Sequence, residues 1–420
     1  MTTTAVPARI SRKQAGLVAL LFGLSVMSYF DRTIMSIAGP GIMNEFGLSE
    51  TQMGGVYSAF LISYALLMIP GGRLADRFGP RVVLTGMAVG SALFTGLTAL
   101  GGKPGLGALI GVIPSFILIR LALGVSTAPL YPACARMNAN WMPAAQRARV
   151  QGIIAAGAGL GGAVSPILFT YLIGRIGWRL SFCVAALATG ALGAAWLLSD
   201  RDRPEPSSGA PSSESQRAAT PWRMLLTDRN ILLLTLGYIA VDYFEYIFFF
   251  WIYYYFGEIR HLGANRSAIY TTVLFLTWLV MTPIGGWVCD RMSARLGRKA
   301  GLRIVGISGL LLSAILLFAG ANVSGTIPAV AVMSLALGFA SCSDVTFWAG
   351  TIEVAGEHVG AACGIMNSGG NLGGFVAPIL TPFIASFAGW TWGLYFGSLV
   401  ALGGAAAWLF IDPTRRAGTA

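Results

Sequence analysis

Charged residues are scarce in this 420-residue chain: they make up 11% of it, against about 25% in soluble domains. The chain has two histidines and five cysteines, and the cysteines show no spacing typical of a metal or redox site. It also lacks a nucleotide-binding glycine loop and a nucleophile elbow. The sequence therefore indicates no enzyme, no metal and no resident cofactor.

Acidic residues are scarcer than basic ones, and the formal net charge is +11. Such a charge can indicate nucleic-acid binding, but 55% of the residues are hydrophobic and the mean hydropathy is +0.70. Apolar blocks of about 20 residues recur along the chain, and each is long enough to cross a bilayer as a helix. We therefore expect an all-α, multi-pass membrane protein whose partner is lipid, with no nucleic-acid partner.

Twelve spans are predicted, six on each side of a segment rich in proline, serine and charge that is typical of a flexible linker. The predicted domains are an N-terminal tail (1–14), an N-terminal six-helix bundle (15–199), a linker (200–229), a C-terminal six-helix bundle (230–411) and a C-terminal tail (412–420). The predicted spans are 15–38, 51–71, 82–101, 109–133, 149–173, 178–199, 230–256, 267–289, 301–321, 326–354, 359–387 and 390–411.

The basic residues predict the orientation of these spans. If both termini and the linker are cytoplasmic, 21 of the 28 lysines and arginines lie on the cytoplasmic side, 5 lie on the opposite side and 2 lie within spans. This bias follows the positive-inside rule. The first apolar run is too long for the core of a signal peptide, so we expect a retained first span and location in a bacterial inner membrane.

Two similar loops show that the halves of the chain repeat. GGRLADRFGPR (71–81) follows the second span, and GGWVCDRMSARLGRK (285–299) follows the second span of the second half. A tandem repeat is typical of transporters that bind substrate between two pseudo-symmetric bundles. We expect Asp76 to pair with a helix N-terminus or with an arginine of a neighbouring span, and so to hold the helices together on the cytoplasmic side. The residues of the loop motif are Gly72, Asp76, Arg77 and Arg81, with Asp290 and Arg291 in the second copy.

Three charged residues interrupt apolar spans: Asp31, Arg32 and Arg120. A charge at bilayer depth costs several kcal/mol, so it persists where it faces a cavity or a partner. Two buried arginines beside one carboxylate predict an anion site with a titratable neighbour. A structural ion pair between Asp31 and Arg120 is the alternative, and both arrangements can occur in different states.

The motif GRLADRFGPR resembles the loop signature of the major facilitator superfamily. Within it, SYFDR (28–32), RLALGVSTAPLYP (120–132) and GIMNSGGNLGGFVAP (364–378) resemble segments of the anion:cation symporter family, which carries sugar acids, hexuronates and related organic anions. The resemblance implies the twelve-helix fold with alternating access. It also implies that Asp31 carries a proton, that Arg32 contacts the substrate and that no cofactor is needed beyond the coupling ion.

The chain departs from this family at the fourth span. Thr127 stands where the family has a second proton-carrying glutamate, and Ala158 stands where its fifth span often has a glutamine. Coupling through two carboxylates therefore cannot be transferred to this chain. Asp31 acts alone, another carboxylate such as Asp344 replaces the glutamate, or coupling is absent.

Polar and aromatic side chains in the spans supply the remaining candidates. For the tyrosines and the tryptophan the alternative role is core or interfacial packing, for the asparagines it is hydrogen bonding between helices, and for Asp344 it is a structural hydrogen bond. The candidate substrate-binding residues are Arg32, Arg120, Tyr29, Tyr64, Trp251, Tyr254, Asn367 and Asn371.

The function expected from the sequence is secondary active transport by a monomer that imports a small organic anion, a sugar acid or related carboxylate, together with protons. An uncoupled facilitator or exchanger of organic anions is the alternative. A drug/proton antiporter fits less well, because arginines in the pocket disfavour lipophilic cations. A membrane sensor that kept the fold without transporting is the remaining alternative.

Overall fold

The computed structural model describes residues 11–198 and 222–418, and this part of the chain is helical and contains no β-strand. Most of the predicted N-terminal tail (1–14) and linker (200–229) lies outside the described residues. Eleven described segments are long and apolar enough to cross a membrane. One of them, Arg149–Leu197, contains two spans, because Gly177 breaks the helix with φ 75° and ψ 164°. The prediction of twelve membrane helices is therefore confirmed.

The first half of the chain builds one bundle of six spans. Its fourth span is made of consecutive shorter helices, and its fifth and sixth spans are the two parts of one long helical segment. The helices are α1 (Arg12–Phe46), α2 (Glu50–Phe78), α3 (Pro80–Thr98), α4 (Gly107–Ile110), α5 (Val112–Thr127), α6 (Leu130–Trp141) and α7 (Ala144–Leu197).

The second half builds a second bundle of six spans. A π-helix, Tyr255–Ile259, continues its first span, and a 3₁₀ turn, Gly356–His358, joins its fourth and fifth spans. The helices are α8 (Trp222–Thr227), α9 (Arg229–Tyr254), α10 (Gly263–Leu296), α11 (Arg298–Asn322), α12 (Thr326–Ala355), α13 (Val359–Ala388) and α14 (Trp390–Phe410).

Four glycines show the internal repeat in the backbone. Gly79 and Gly297 join the second and third spans of each half with φ of 85° and 86°. Gly177 and Gly389 join the fifth and sixth spans with φ of 75° and 90°. L-residues rarely adopt these angles, so glycine is needed for such a tight turn between antiparallel helices. Each half uses the same turns at the same places.

Polar contacts group the helix ends on two faces. Gln14, near the start of α1, donates to the Trp141 carbonyl at the end of α6 (2.8 Å), and the Asp412 amide after α14 donates to Asn230 at the start of α9 (2.9 Å). The face that carries both described ends of the chain is called the tail face here. The opposite face, where α1 ends and α2 begins, is called the distal face. Serine caps Ser11 and Ser49 start α1 and α2.

The loop motif lies on the tail face. Asp76 at the end of α2 is 3.7 Å from the Arg136 guanidinium of α6, so an arginine of the fourth span lies beside the motif carboxylate. Arg81 donates to the Leu197 carbonyl at the end of α7 (2.8 Å). In the second copy, Arg298 lies 3.7 Å from Asp290. Arg77 and Arg291 stack over Phe78 and Trp287, and a Cβ at Gly72 would lie 3.4 Å from Pro132.

The segment after α14 docks on the tail face of the C-terminal bundle. Asp412 forms an ion pair with Lys299 at the start of α11, and the Ala417 amide donates to the Val354 carbonyl of α12 (2.8 Å). The Lys299 ammonium and the Thr414 hydroxyl lower the pKa of the Asp412 carboxyl from 3.8 to about 2. The ion pair therefore stabilises docking fully above pH 3.8, and its contribution disappears as the pH falls toward 2.

Substitution of Asp412 by asparagine is expected to loosen this segment at neutral pH, because the charge that pairs with Lys299 is gone. Hydrogen exchange at the Ala417 amide should become faster, and acidification of the wild type from pH 4 to pH 2 should have the same effect after correction for intrinsic exchange rates. Asp290→Asn, at an exposed carboxylate of α10, is the matched control. Unchanged exchange in Asp412→Asn would show that the backbone contacts alone hold the segment.

Candidate functional site

Arg32 lies between the two bundles at mid-length of α1 and is only 4% exposed. Its Nη1 donates to the hydroxyl of Tyr246 on α9 (2.9 Å), so the guanidinium bridges α1 and the C-terminal bundle. Its Cζ lies 4.8–5.0 Å from the ring centroids of Tyr29, Phe60 and Tyr64. Among the described residues no carboxylate forms an ion pair with Arg32, and its Nε has no hydrogen-bond partner. The guanidinium can therefore accept an anionic ligand.

Arg120 lies within the N-terminal bundle rather than between the bundles. Its side chain is fully buried and donates to the backbone carbonyls of Asp31 (3.2 Å) and Arg32 (3.4 Å). Its Cζ lies 5.0 Å from the centroid of the same Phe60 ring that Arg32 contacts. Arg120 thus holds α5 against α1 at the position of Arg32. In this conformation it fixes the α1 backbone that carries the Arg32 side chain.

Asp31 points into the N-terminal bundle. Both of its carboxylate oxygens lie 3.2 Å from the Thr189 hydroxyl, on the second span of α7, and the residue is 1% exposed. Neighbouring residues of a helix project about 100° apart, so Asp31 and Arg32 face different surroundings. The ion pair between Asp31 and Arg120, considered as an alternative above, is not formed between these two described residues.

Three carboxylates of the C-terminal bundle lie on the other side of the interface. Asp242 and Glu245 of α9 are 7% and 8% exposed, and both interact electrostatically with Asp344 of α12. Glu245 accepts a hydrogen bond from the Trp278 indole of α10 (3.2 Å). We call Asp242, Glu245 and Asp344 the C-bundle carboxylates. Of these three residues, the sequence predicts a role only for Asp344.

The other predicted site residues fall into two groups. Tyr29 and Tyr64 surround the Arg32 guanidinium, as described above. On α13, Asn367 donates to the Met68 sulfur of α2 (3.0 Å), and Asn371 donates to the backbone carbonyl of Asn367 (2.8 Å). The Asn371 amide oxygen is buried and has no partner among the described residues. Asn367 thus lies between the bundles, on the tail-face side of the Ser58–Phe375 contact described next.

Trp251 and Tyr254 lie nearer the distal face, in a contact between bundles that we call the distal seal. Tyr254 donates to the Glu50 carboxylate at the start of α2 (2.5 Å). Trp251 donates to the Pro378 carbonyl of its own bundle (3.0 Å), and its ring packs edge-on against Tyr57 of α2, with 5.4 Å between the ring centroids. The seal continues toward the centre where Ser58 of α2 donates to the Phe375 carbonyl of α13 (2.6 Å). In this conformation the structure places both aromatic residues in the seal and does not bring them beside Arg32.

Exposure of the central side chains shows which face is open. Tyr57 and Phe250, on the distal side of Arg32, stack on each other and are at most 1% exposed. On the tail side Asp344, Trp348 and Asn367 are partly exposed, although Trp348 bonds Tyr238 within the C-terminal bundle and Asn367 contacts the other bundle. The centre is therefore sealed from the distal face and reached from the tail face. A separate cavity of about 740 Å³, lined by Glu50, Tyr254 and Glu258 among others, lies outside the seal.

Replacement of Glu50 by alanine is expected to weaken the distal seal, because Tyr254 (2.5 Å) and Trp390 (3.3 Å) of the C-terminal bundle both donate to this carboxylate. Loss of an acceptor shared by two donors costs about 1–3 kcal/mol, so the population open to the distal face should rise roughly 5- to 150-fold. Distance distributions between spin labels at the distal ends of α2 and α13 measure this. Glu258→Ala, which removes an exposed carboxylate of the same cavity, should leave the distribution unchanged.

Comparison with known proteins identifies the family. The model of the Major Facilitator Superfamily matches residues 21–349 and 292–420. This chain belongs to the major facilitator superfamily. It is a membrane transporter rather than an enzyme, as the sequence indicates.

Relatives of this transporter cover nearly its whole length. It is 30% identical to a protein of Cupriavidus necator named "Probable sulfoacetate transporter", over 95% of this chain and 93% of the relative. It is 28% identical to the hexuronate transporter of Bacillus subtilis, over 96% of both chains, and 29% identical to a D-galactonate transporter of Escherichia coli, over 98% of both. All three names describe carriers of small organic anions.

Solved structures agree with the fold. The transporter superposes on an inward-facing, occupied structure of a bacterial homologue of the human lysosomal transporter Spinster with a TM-score of 0.78, at 16% identity, over 97% of this chain and all of the other. The D-xylose-proton symporter gives a TM-score of 0.72 at 15% identity, over 96% and 99% of the two chains. At these identities the likeness concerns the twelve-helix fold alone.

Proposed function

We propose that this transporter moves a small organic anion, a sugar acid or a related carboxylate or sulfonate, through alternating access of its two bundles. In this proposal Arg32 receives the anionic group, and Tyr29, Tyr64 and Tyr246 surround it with hydroxyl and ring contacts. Arg120 and Asp31 hold the backbone and the N-terminal bundle around Arg32. The proposed orientation has the tail face in the cytoplasm of a bacterial cell, with import by a monomer from the distal face.

The observation that carries this proposal is that no carboxylate of the described residues forms an ion pair with Arg32. An unpaired charge at the centre of a membrane protein is costly, and a carboxylate at about 4 Å would contribute on the order of 4 kcal/mol of Coulomb energy before desolvation. Arg32 also has a free Nε and a hydroxyl partner, Tyr246, that a ligand oxygen can replace. A planar carboxylate matches the guanidinium fork, and two oxygens of a tetrahedral sulfonate can accept from it in the same way.

The names of the relatives support the same class of substrate. Hexuronates and galactonate each combine one carboxylate with several hydroxyl groups, and sulfoacetate carries a sulfonate and a carboxylate on one carbon. The tyrosine hydroxyls around Arg32 suit polar, hydroxylated anions better than the lipophilic cations of drug exporters. The uncoupled facilitator remains the second candidate, since Thr127 supplies no carboxylate in the fourth span.

Uptake into proteoliposomes tests this proposal. The purified transporter should take up at least one of D-glucuronate, D-galactonate and sulfoacetate, and an excess of that anion should compete with its labelled form. An imposed inward proton gradient should raise the initial rate if transport is proton-coupled. Absence of uptake and of any thermal stabilisation by these anions, with uptake of a neutral sugar instead, would reject the anion assignment.

A further inference from the structure

The C-bundle carboxylates place an excess of negative charge opposite the anion site. Arg32 supplies one positive charge at the interface, whereas Asp242, Glu245 and Asp344 supply up to three negative ones. Asp31 and Arg120 lie inside the N-terminal bundle, and their opposite charges sum to zero there. Binding of an anion to Arg32 would add a further negative charge in a region where water does not screen it well. Something must neutralise the carboxylates when the anion binds.

Asp242 is the C-bundle carboxylate to which no described residue donates a hydrogen bond. The residue is 7% exposed, and the charged groups that act on its carboxylate are Asp344 and Arg32. It packs against the backbone of α13, where its Oδ2 would lie 2.7 Å from a Cβ placed on Gly370. A buried, ionised carboxylate without donors is unfavourable, whereas a protonated one is tolerated much better.

The surroundings of these carboxylates contain few groups that could neutralise them. Charged or titratable neighbours are Arg32 and Tyr29 of α1, Tyr64 of α2 and Tyr238 and Tyr246 of α9 itself. The faces of α10 and α12 add the indoles of Trp278 and Trp348. The sequences of α13 and α14 contain no charged residue, so Arg32 is the one cation among these described neighbours.

We propose that the C-bundle carboxylates take up a proton when an anion binds to Arg32, so that proton coupling resides in the C-terminal bundle. This inference rests on the proposed function, since it requires an anion at Arg32. The proton comes from the solvent at the open face and leaves to solvent on the other side after the bundles rock. The cluster replaces the carboxylate that Thr127 does not supply, and Asp31 keeps a structural role in the N-terminal bundle.

The proposal predicts how anion affinity depends on pH. If one proton binds with the anion, the Kd rises about tenfold per pH unit wherever the free transporter is deprotonated. Asn or Gln mimics a protonated carboxyl, so Asp242→Asn, Glu245→Gln or Asp344→Asn should weaken this dependence and at least one should abolish it. Affinity at high pH should then be equal to or better than that of the wild type.

The experiment measures the Kd of D-glucuronate, D-galactonate and sulfoacetate by thermal shift and calorimetry between pH 5.5 and 8.5. Asp31→Asn should keep the dependence on pH, and Glu258→Gln, an exposed carboxylate on the π-helix that follows α9, is the matched control. Proton uptake counted in weakly buffered solution should fall in the same variants that lose the pH dependence. The melting temperature without ligand shows that each variant is folded.

Several outcomes would overturn the proposal. In one such outcome the pH dependence of the Kd survives each of the three C-bundle substitutions, or disappears in Asp31→Asn alone. Either result would show that the coupling proton binds in the N-terminal bundle. A pH-independent Kd in the wild type, with tighter binding of β-alanine or taurine than of the three anions, would show that a cationic group of the substrate neutralises the cluster. If no tested anion binds the wild type at all, the proposed function fails, and this inference fails with it.

Discussion

Arg32→Ala is expected to abolish uptake of the anion and to weaken its binding by about 100-fold or more, because removal of one partner from a buried charge pair costs on the order of 3 kcal/mol. No other described guanidinium lies between the bundles at this depth, since Arg120 is engaged with the α1 backbone. Initial uptake rates in proteoliposomes and the Kd from calorimetry measure the two effects.

Two further variants make this result specific. Arg32→Lys keeps the charge but not the bidentate geometry, so binding should be intermediate. Arg175→Ala removes an exposed arginine that stacks over Tyr171 and should leave uptake unchanged. Equal uptake by Arg32→Ala and the wild type, with both proteins folded, would show that the anion binds elsewhere.

Gly54→Val is expected to stop transport by preventing closure of the distal face. Gly54 is a contact of α2 with the backbone of α13, and a Cβ there would lie 2.0 Å from the Pro378 carbonyl oxygen. The neighbour is backbone rather than a flexible side chain, so the clash can be relieved only by separation of the two bundles. Uptake should fall to background, while the anion still binds at Arg32 from the distal side.

Gly55→Val is the matched control, because a Cβ at Gly55 meets no atom within 4 Å. In a cysteine-free background, a cysteine at Ser58 should be protected from an impermeant maleimide in the parent and in Gly55→Val. It should react in Gly54→Val, since Ser58 lies in the seal. Normal uptake by Gly54→Val would mean that the backbones of α2 and α13 do not need this contact.

Much of the fold can be predicted from the hydropathy of the sequence and from the glycine-rich loops that separate its apolar runs. Apolar runs of the right length located all twelve spans, and the two glycine-rich loops showed the repeat. Exact ends are less accessible, because hydropathy marks the part of a helix in lipid rather than the whole helix. The first apolar run predicts a span that ends at residue 38, but α1 continues to Phe46, where Gly47 ends it in the left-handed conformation.

The site is harder to predict, because residue type and periodicity do not show depth or partners. Arg32 and Arg120 look alike in sequence, yet only Arg32 reaches the other bundle. Trp251 and Tyr254 share one face of α9, but Trp251 lies about 7.5 Å along the helix from Tyr246, at 1.5 Å per residue, and so reaches the distal seal instead. The role of Tyr246 depends on contact between residues 214 positions apart, which no local pattern indicates.

A structure of the transporter with bound D-glucuronate, D-galactonate or sulfoacetate tests the central claim most directly. We expect oxygens of the carboxylate or sulfonate to lie within hydrogen-bond distance of the Arg32 guanidinium, between Tyr29 and Tyr64. An anion held elsewhere, with the hydrogen bond from Arg32 to Tyr246 unchanged and no ligand oxygen at the guanidinium, would contradict it.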